Sequence, residues 1–201
     1  MATQAERRES TRAAFIQAAA DSLRKNGLSG FTTSDVVRRA GMSNGALFRY
    51  FATRTELLSS TVQFVFARLR DEYAEQYLAL AETEVTPHSL LTLLWKVYDD
   101  PYLAALYEVY GAARTDETLR AAIEPMIREH VDVIHQLAHD IVALMADADA
   151  DIVGEMVWVA VLSMQGLALS RPVYSDPYGG EQLVATLARL AERVIEFRPP
   201  S

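Results

Sequence analysis

Apolar positions recur every three to four residues along most of the chain, and no run of any length alternates at period two. That periodicity predicts amphipathic helices throughout and therefore an all-α fold. Ser10 to Lys25 places Phe15, Ala19 and Leu23 four apart and stops before Gly27, a residue suited to a left-handed cap. Leu28 and Phe31 follow as core plugs. Thr32, with Asp35 three residues on, reads as a capping box opening a short helix whose inner face is Val36, Val37 and Ala40, and Gly41 breaks it. Ser43 then caps a second short helix in which Leu47 and Phe51 turn inward. Two short capped helices joined by a tight turn make a helix-turn-helix. Thr53 and Glu56 start a fourth helix that runs on to Glu82, with a broad apolar face from Leu57 to Tyr77, so its far end must pack into a second bundle.

Punctuation divides the remainder. Thr86-Pro87 opens a helix through Tyr98, Asp100-Pro101 one through about Arg114, and Asp116 one through about Met145, with Pro125 a candidate kink. An acidic, alanine-rich break at 146–151 precedes a strongly apolar helix from Ile152 to Ser170. A turn-rich loop at 171–180 leads to a last helix with Leu183, Leu187, Leu190, Val194 and Phe197 at alternating spacings of four and three. These two last helices are more apolar than one neighbouring layer requires, which predicts a surface shared between subunits along Leu183, Leu187, Leu190 and Val194. The expected division is a three-helix head at 1–53 and a helical bundle at 54–201.

Charge sharpens that division. The net charge is −8, yet residues 1–60 hold nine Lys/Arg against five Asp/Glu, while residues 61–201 hold ten against twenty-two. A basic head attracts phosphates and an acidic body is repelled by them. Without cysteine there is no disulfide, thiolate metal site or cysteine nucleophile, and a cytoplasmic protein is expected. The N-terminus is too charged for a signal peptide, and the uncharged stretch from Met156 to Ser170 is shorter than a membrane span, so no membrane partner is expected.

The chemistry concentrates in the second short helix. Its first turn, Asn44, Gly45 and Ala46, is small enough to approach another surface, and Arg49 and Tyr50 lie off its inward face. At these residues the chain resembles the DNA-binding signature of the TetR family of transcriptional regulators, on Thr32, Ala40, Gly41, Ser43, Gly45, Ala46, Leu47, Phe48, Tyr50, Phe51 and Arg54. Two positions depart from it. Phe48 stands where tyrosine is usual, removing a hydroxyl that would reach a phosphate, and Arg54 replaces lysine. The resemblance implies a double-stranded DNA operator met by Thr32, Thr33, Ser43, Asn44, Gly45, Ala46, Phe48, Arg49, Tyr50 and Arg54. Asn44 and Arg49 are expected on base edges, and Thr32, Thr33, Ser43, Tyr50 and Arg54 on phosphates. It also implies a homodimer joined through the last two helices, and a repressor released by a small apolar or aromatic effector held in the second domain, with no cofactor.

Aromatic and polar residues of the middle helices supply candidates for that cavity: Phe66, Tyr73, Trp95, Tyr98, Tyr110, Arg114, His130 and Gln165. Asp132, His135 and His139 share a helix face at metal-ligand spacing, a pattern more often found on a solvated face. No glycine-rich phosphate loop, nucleophile elbow or paired carboxylate in an apolar setting is present, so an enzyme is not expected. The competing function is a helical adaptor that uses the same head for protein contacts, which steeply salt-dependent binding to duplex DNA would separate from a regulator.

Overall fold

The structure is a computed structural model that describes residues 3–81, 85–144, 150–173 and 179–196; the side chains of 81, 138–144, 150 and 194–196 lie outside the description. Among the described residues there are nine helices and no strand. They are α1 Gln4–Gly30, α2 Thr33–Ala40, α3 Asn44–Leu47, α4 Arg54–Ala81, α5 Pro87–Tyr98, α6 Pro101–Ala113, α7 Glu117–Leu144, α8 Ala150–Ser170 and α9 Gly180–Glu196. Helix starts fall where the caps predict. Thr32, Ser43, Thr53, Thr86 and Asp116 each accept a hydrogen bond from the backbone N–H three residues on. The chain divides into two compact units, one of residues 1–68 with 101–128, the other of 69–100 with 129–201.

In the first unit α1 packs on α2 and α6, and α2 on α3. Its core is Phe15, Leu23, Phe31, Val36, Leu47 and Phe51, each at most 2% exposed. Helix α1 is longer than periodicity alone gives: Thr3 and Glu6 form a capping box that carries it back over the arginine-rich start. Gly27 sits at φ 65°, ψ −179° and kinks the helix rather than ending it. The kink frees the Leu28 N–H, which donates to the Glu108 carboxylate of α6 at 2.7 Å. A Cβ on residue 27 would lie 2.7 Å from that same carboxylate, so both φ and space demand glycine. Tyr102, also on α6, donates its hydroxyl to Asp21 at 2.6 Å and lies under the guanidinium groups of Arg24 and Arg68. Helix α6 is thereby stitched to α1 from its first turn and from its middle.

One expected cap is only half formed. Thr32 caps the Asp35 N–H, but the Asp35 carboxylate turns away to Arg38, Arg39 and the Asn26 side-chain amide. Aspartate is a methylene shorter than the glutamate of a full box, and two guanidinium groups one turn on compete for it. The Arg39 hydrogen bond first of all, with Arg38, holds the Asp35 carboxyl well below the usual range.

In the second unit α5 packs on α8 and α9, and α8 on α9. Trp95 lies against the backbone of Gly180, where a Cβ would come within 2.1 Å of the indole, and Arg171 covers the ring while pairing with Asp99. Pro125 does not divide α7, which runs unbroken from Glu117 to Leu144. Helix α8 differs from expectation in length. It begins at Ala150, and Asp151–Ser170 has a mean hydropathy of 1.7, so by length and composition alone it could cross a membrane. Only 33% of that window is buried.

The seam of the last helix is also redistributed. The buried face of α9 is Val184, Leu187, Ala188 and Ala191, whereas Leu183 is half-buried and Leu190 is 52% exposed. The side chains of Val194 and Phe197 lie outside the described residues, as do the break at 146–149 and loop residues 174–178. A four-three spacing marks a stripe without saying which half of it the neighbouring helices α5 and α8 will occupy. The long exposed stripe is on α8 instead. Ile152, Glu155, Val159, Leu162, Gly166 and Leu169 follow at alternating spacings of three and four, all on the exposed side.

Candidate nucleic-acid interface and effector cavity

The helix-turn-helix is set by three local devices. Gly41 at φ 66° takes the left-handed turn that closes α2, its N–H reaching back to Arg38 and Val37. The Ser43 hydroxyl accepts from the Ala46 N–H at 3.2 Å and starts α3. Leu47 and Phe51, each 1% exposed, anchor one side of that turn in the core. Chain geometry then forces the remainder outward: Asn44, Gly45, Phe48 and Arg49 are exposed, and Phe48 and Asn44 are one turn apart, linked by a 3.0 Å backbone bond.

Other expected contact residues are partly engaged within the head. Tyr50 is half-buried with its ring 5.9 Å from Phe15, and Thr33 and Ala46 are half-buried. The hydroxyls of Thr32 and Ser43 are used as caps. Arg54 folds back on the head: its guanidinium donates to the carbonyls of Phe31 and Leu28 at 3.3 Å each and covers the Phe31 ring. That clamp ties the α1–α2 junction to the start of α4. Arg12, in contact with Ser60 and the Phe51 ring, holds α1 to the same region. Counted by unit, the first holds thirteen Lys/Arg against nine Asp/Glu and the second six against eighteen, so the phosphate-attracting charge lies with the helix-turn-helix.

The second unit contains a cavity of about 350 Å³ between α5, α8 and α9, closed further by Tyr73 and Leu137. Its wall is aliphatic, including Leu90, Leu94, Met156, Val157, Ala160 and Leu187. Ile152, Val159 and Leu190, all exposed, form part of its rim. Of the eight cavity residues expected from sequence, Tyr73 lines it. Trp95 instead lines a polar groove between α5 and α9, and Tyr110 and Arg114 line a cleft of the first unit beside Arg120 and Arg128. Phe66 and Tyr98 are buried, while His130 and Gln165 are half-buried and line none of these three spaces. Burial pushes the His130 imidazole down to about 4, helped by the Arg70 cation, and burial alone pushes the Tyr98 phenol up. The sequence signal for this cavity was weak because its wall consists of leucine, valine and alanine at helical spacing, which reads as core.

The face of Asp132, His135 and His139 is described only in part. His135 lies edge-on to Trp158, its ring centre 5.1 Å away, the His139 side chain is outside the described residues, and among the described residues no cluster of three metal ligands occurs.

A short capped helix presented on a basic helical unit, followed by an acidic bundle with an internal cavity, defines the class of helix-turn-helix transcriptional regulators. The family described as "Bacterial regulatory proteins, tetR family" matches residues 15–61, which span α1 from Phe15, all of α2 and α3, and the start of α4. An uncharacterized HTH-type transcriptional regulator of Mycobacterium tuberculosis is 29% identical over 193 residues, covering 94% of this chain and 96% of that one. The HTH-type transcriptional regulator CymR of Pseudomonas putida is 25% identical over 197 residues, covering 98% and 97%. The crystal structure of a transcriptional regulator from Rhodococcus sp. superimposes with a TM-score of 0.70 at 18% identity, over 92% of this chain and 96% of that one. Residues 15–61 carry the helix-turn-helix of the tetR family, and over nearly its whole length the chain is similar to HTH-type transcriptional regulators and shares their fold.

Proposed function

We propose that this regulator is a homodimeric, ligand-responsive repressor, with residues 1–53 as the operator-binding head and 54–201 as the effector-binding and dimerising part, acting in the cytoplasm. The observation that carries the DNA-binding half is the exposed strip of Asn44, Phe48 and Arg49 on a turn fixed by Ser43, Leu47 and Phe51. Asn44 and Arg49 read base edges in the major groove. Thr33, Tyr50 and the backbone donors at the start of α3 meet phosphates, and Gly45 and Ala46 allow the close approach. Arg54 contributes by fixing the α1–α2 junction.

Dimerisation rests on the exposed stripe of α8 with Leu190 of α9. Val159, Leu162 and Leu169 are 55%, 61% and 47% exposed on a helix whose other side is core. A self-complementary stripe of this kind suits a two-fold interface, and two-fold symmetry suits paired half-sites. Helices α4 and α7 each run through both units, so a ligand favouring one arrangement of the bundle shifts the population of head positions through them.

The test is selection of bound sequences from random duplex DNA, followed by titration of the enriched site in rising salt. A palindromic site, bound by a dimer with affinity falling steeply as salt rises, supports the reading. An unstructured pool with no salt-dependent duplex binding overturns it in favour of a protein-binding head.

A further inference from the structure

We infer that Phe48 is a specificity-determining residue that reads the 5-methyl group of a thymine in each half-site, within about two base pairs of the base met by Asn44. The inference deepens the operator-binding reading above and rests on it. Three of the four residues from 48 to 51 are aromatic, and the head uses two of them. Phe51 is 1% exposed beneath the Arg12 guanidinium, and the Tyr50 ring lies 5.9 Å from that of Phe15. Phe48 is 54% exposed, and among the described residues it is the one large apolar side chain that the first unit leaves exposed. Its backbone is still helical, at φ −70° and ψ −7°, so it keeps the register of α3 and stands one turn from Asn44. Asn44, Gly45, Phe48 and Arg49 therefore share one exposed face, turned away from Leu47.

Gly45 supports a close approach at this face. A Cβ on residue 45 would meet nothing nearer than the Ser43 hydroxyl at 4.0 Å, and its φ is not left-handed, so neither space nor backbone within the head calls for glycine. Glycine weakens a helix relative to alanine, and here it leaves an open floor beside Phe48 on the outward side. The chemistry of the ring then selects its partner. A phenyl group has neither donor nor acceptor, so it answers no N7, O6, O4 or amino group and holds no phosphate oxygen. Any of these pressed against it would lose water without replacement. The thymine methyl is the apolar feature of the major-groove edges, and contact with it is the recognition a phenyl group can supply there. The distance follows from helix geometry: four residues at about 1.5 Å each carry Phe48 about 6 Å past Asn44, against about 3.4 Å per base step.

The experiment uses the full chain and the duplex enriched from random DNA, with its thymidines replaced one at a time by deoxyuridine. That exchange removes the methyl group and leaves every hydrogen-bonding group of the base in place. At one position of each half-site uracil should weaken binding about fourfold, the transfer free energy of one buried methyl group, and about sixteenfold when both half-sites are changed. Phe48→Ala should bind the thymine and uracil duplexes alike. Phe48→Tyr keeps the ring and should restore the ratio between them, while any contact of the added hydroxyl with a phosphate strengthens both duplexes equally. Phe48 lies outside the core, so both variants keep the fold. If the unaltered chain binds thymine and uracil duplexes equally at every position, or if the ratio survives in Phe48→Ala, the inference is overturned while the enriched site keeps the operator-binding reading standing. Failure to enrich any duplex overturns both.

Discussion

The two units spend their polar groups in opposite ways. In the first, nearly every cap and ion pair is short-range or crosses one helix: Thr32 to Asp35, Ser43 to Ala46, Asp35 to Arg38 and Arg39, Arg54 to Phe31. The result is a rigid presentation of a few exposed side chains. The second unit relies on aliphatic burial between α5, α8 and α9, leaves a cavity of about 350 Å³, and exposes a hydrophobic stripe on α8. A surface that must read a regular duplex needs fixed geometry, whereas the proposed role of the second unit, admitting a ligand and a second copy, requires apolar surface left uncovered until they arrive. Breaking each unit at its characteristic interaction should therefore give different phenotypes.

The largest effect is expected from two leucines of α9 that lie in the same predicted seam. Leu187 is 8% exposed and Leu190 is 52% exposed. Leu187→Glu buries an unpaired carboxylate and should cost about 3–5 kcal/mol, seen as an early urea midpoint. Leu190→Glu should leave stability nearly unchanged and act on association. Equal destabilisation by both would mean that the stripe is packed within one chain. Leu162→Glu, on α8, should yield folded monomers by sedimentation and an operator affinity lowered by roughly a hundredfold, since the second half-site no longer binds as an intramolecular event.

Next in size is base reading by the head. Asn44→Ala should lose about 1–3 kcal/mol at one position of each half-site while leaving affinity for other sequences in place. Uniform weakening across all sequences would make Asn44 a backbone contact.

Arg54 separates positioning from contact. Because its guanidinium is engaged by the carbonyls of Leu28 and Phe31, Arg54→Gln should lower head stability by about 1–2 kcal/mol. The slope of log affinity against log salt should stay unchanged. A slope smaller by about one unit would show that Arg54 leaves its clamp and meets a phosphate on the operator.

The smallest effect concerns pH and belongs to the second unit. His130 is held near 4 when folded, below its ordinary 6.5, so between those values the unfolded chain takes up a proton that the folded chain refuses. Stability contributed by neutral His130 is present above 6.5 and declines as pH falls toward 4, by about 2 kcal/mol at most after allowing for its partial exposure. Urea midpoints at pH 7 and pH 5 check it: His130→Asn should flatten the difference, and an equal pH dependence in the variant would assign it to other groups.

What the sequence by itself determined is the part built from contacts within a few residues. The caps at Thr32, Ser43, Thr86 and Asp116, the left-handed glycines 27 and 41, and the inward pair Leu47 and Phe51 follow from residue type and spacing, and the outward strip of α3 follows from them. Only tertiary structure decided features that depend on which distant segment arrives. It brought the Asn26 amide onto the Asp35 carboxylate and folded Arg54 back onto the α1–α2 junction. Helical period marks an apolar stripe but carries no information on which neighbour covers it. So Leu187 and Leu190 look alike in sequence and differ in burial, and the apolar stripe left exposed lies on α8. The cavity, walled by residues drawn from five helices and mostly aliphatic, is a gap in packing, and a gap has no residue of its own to be read.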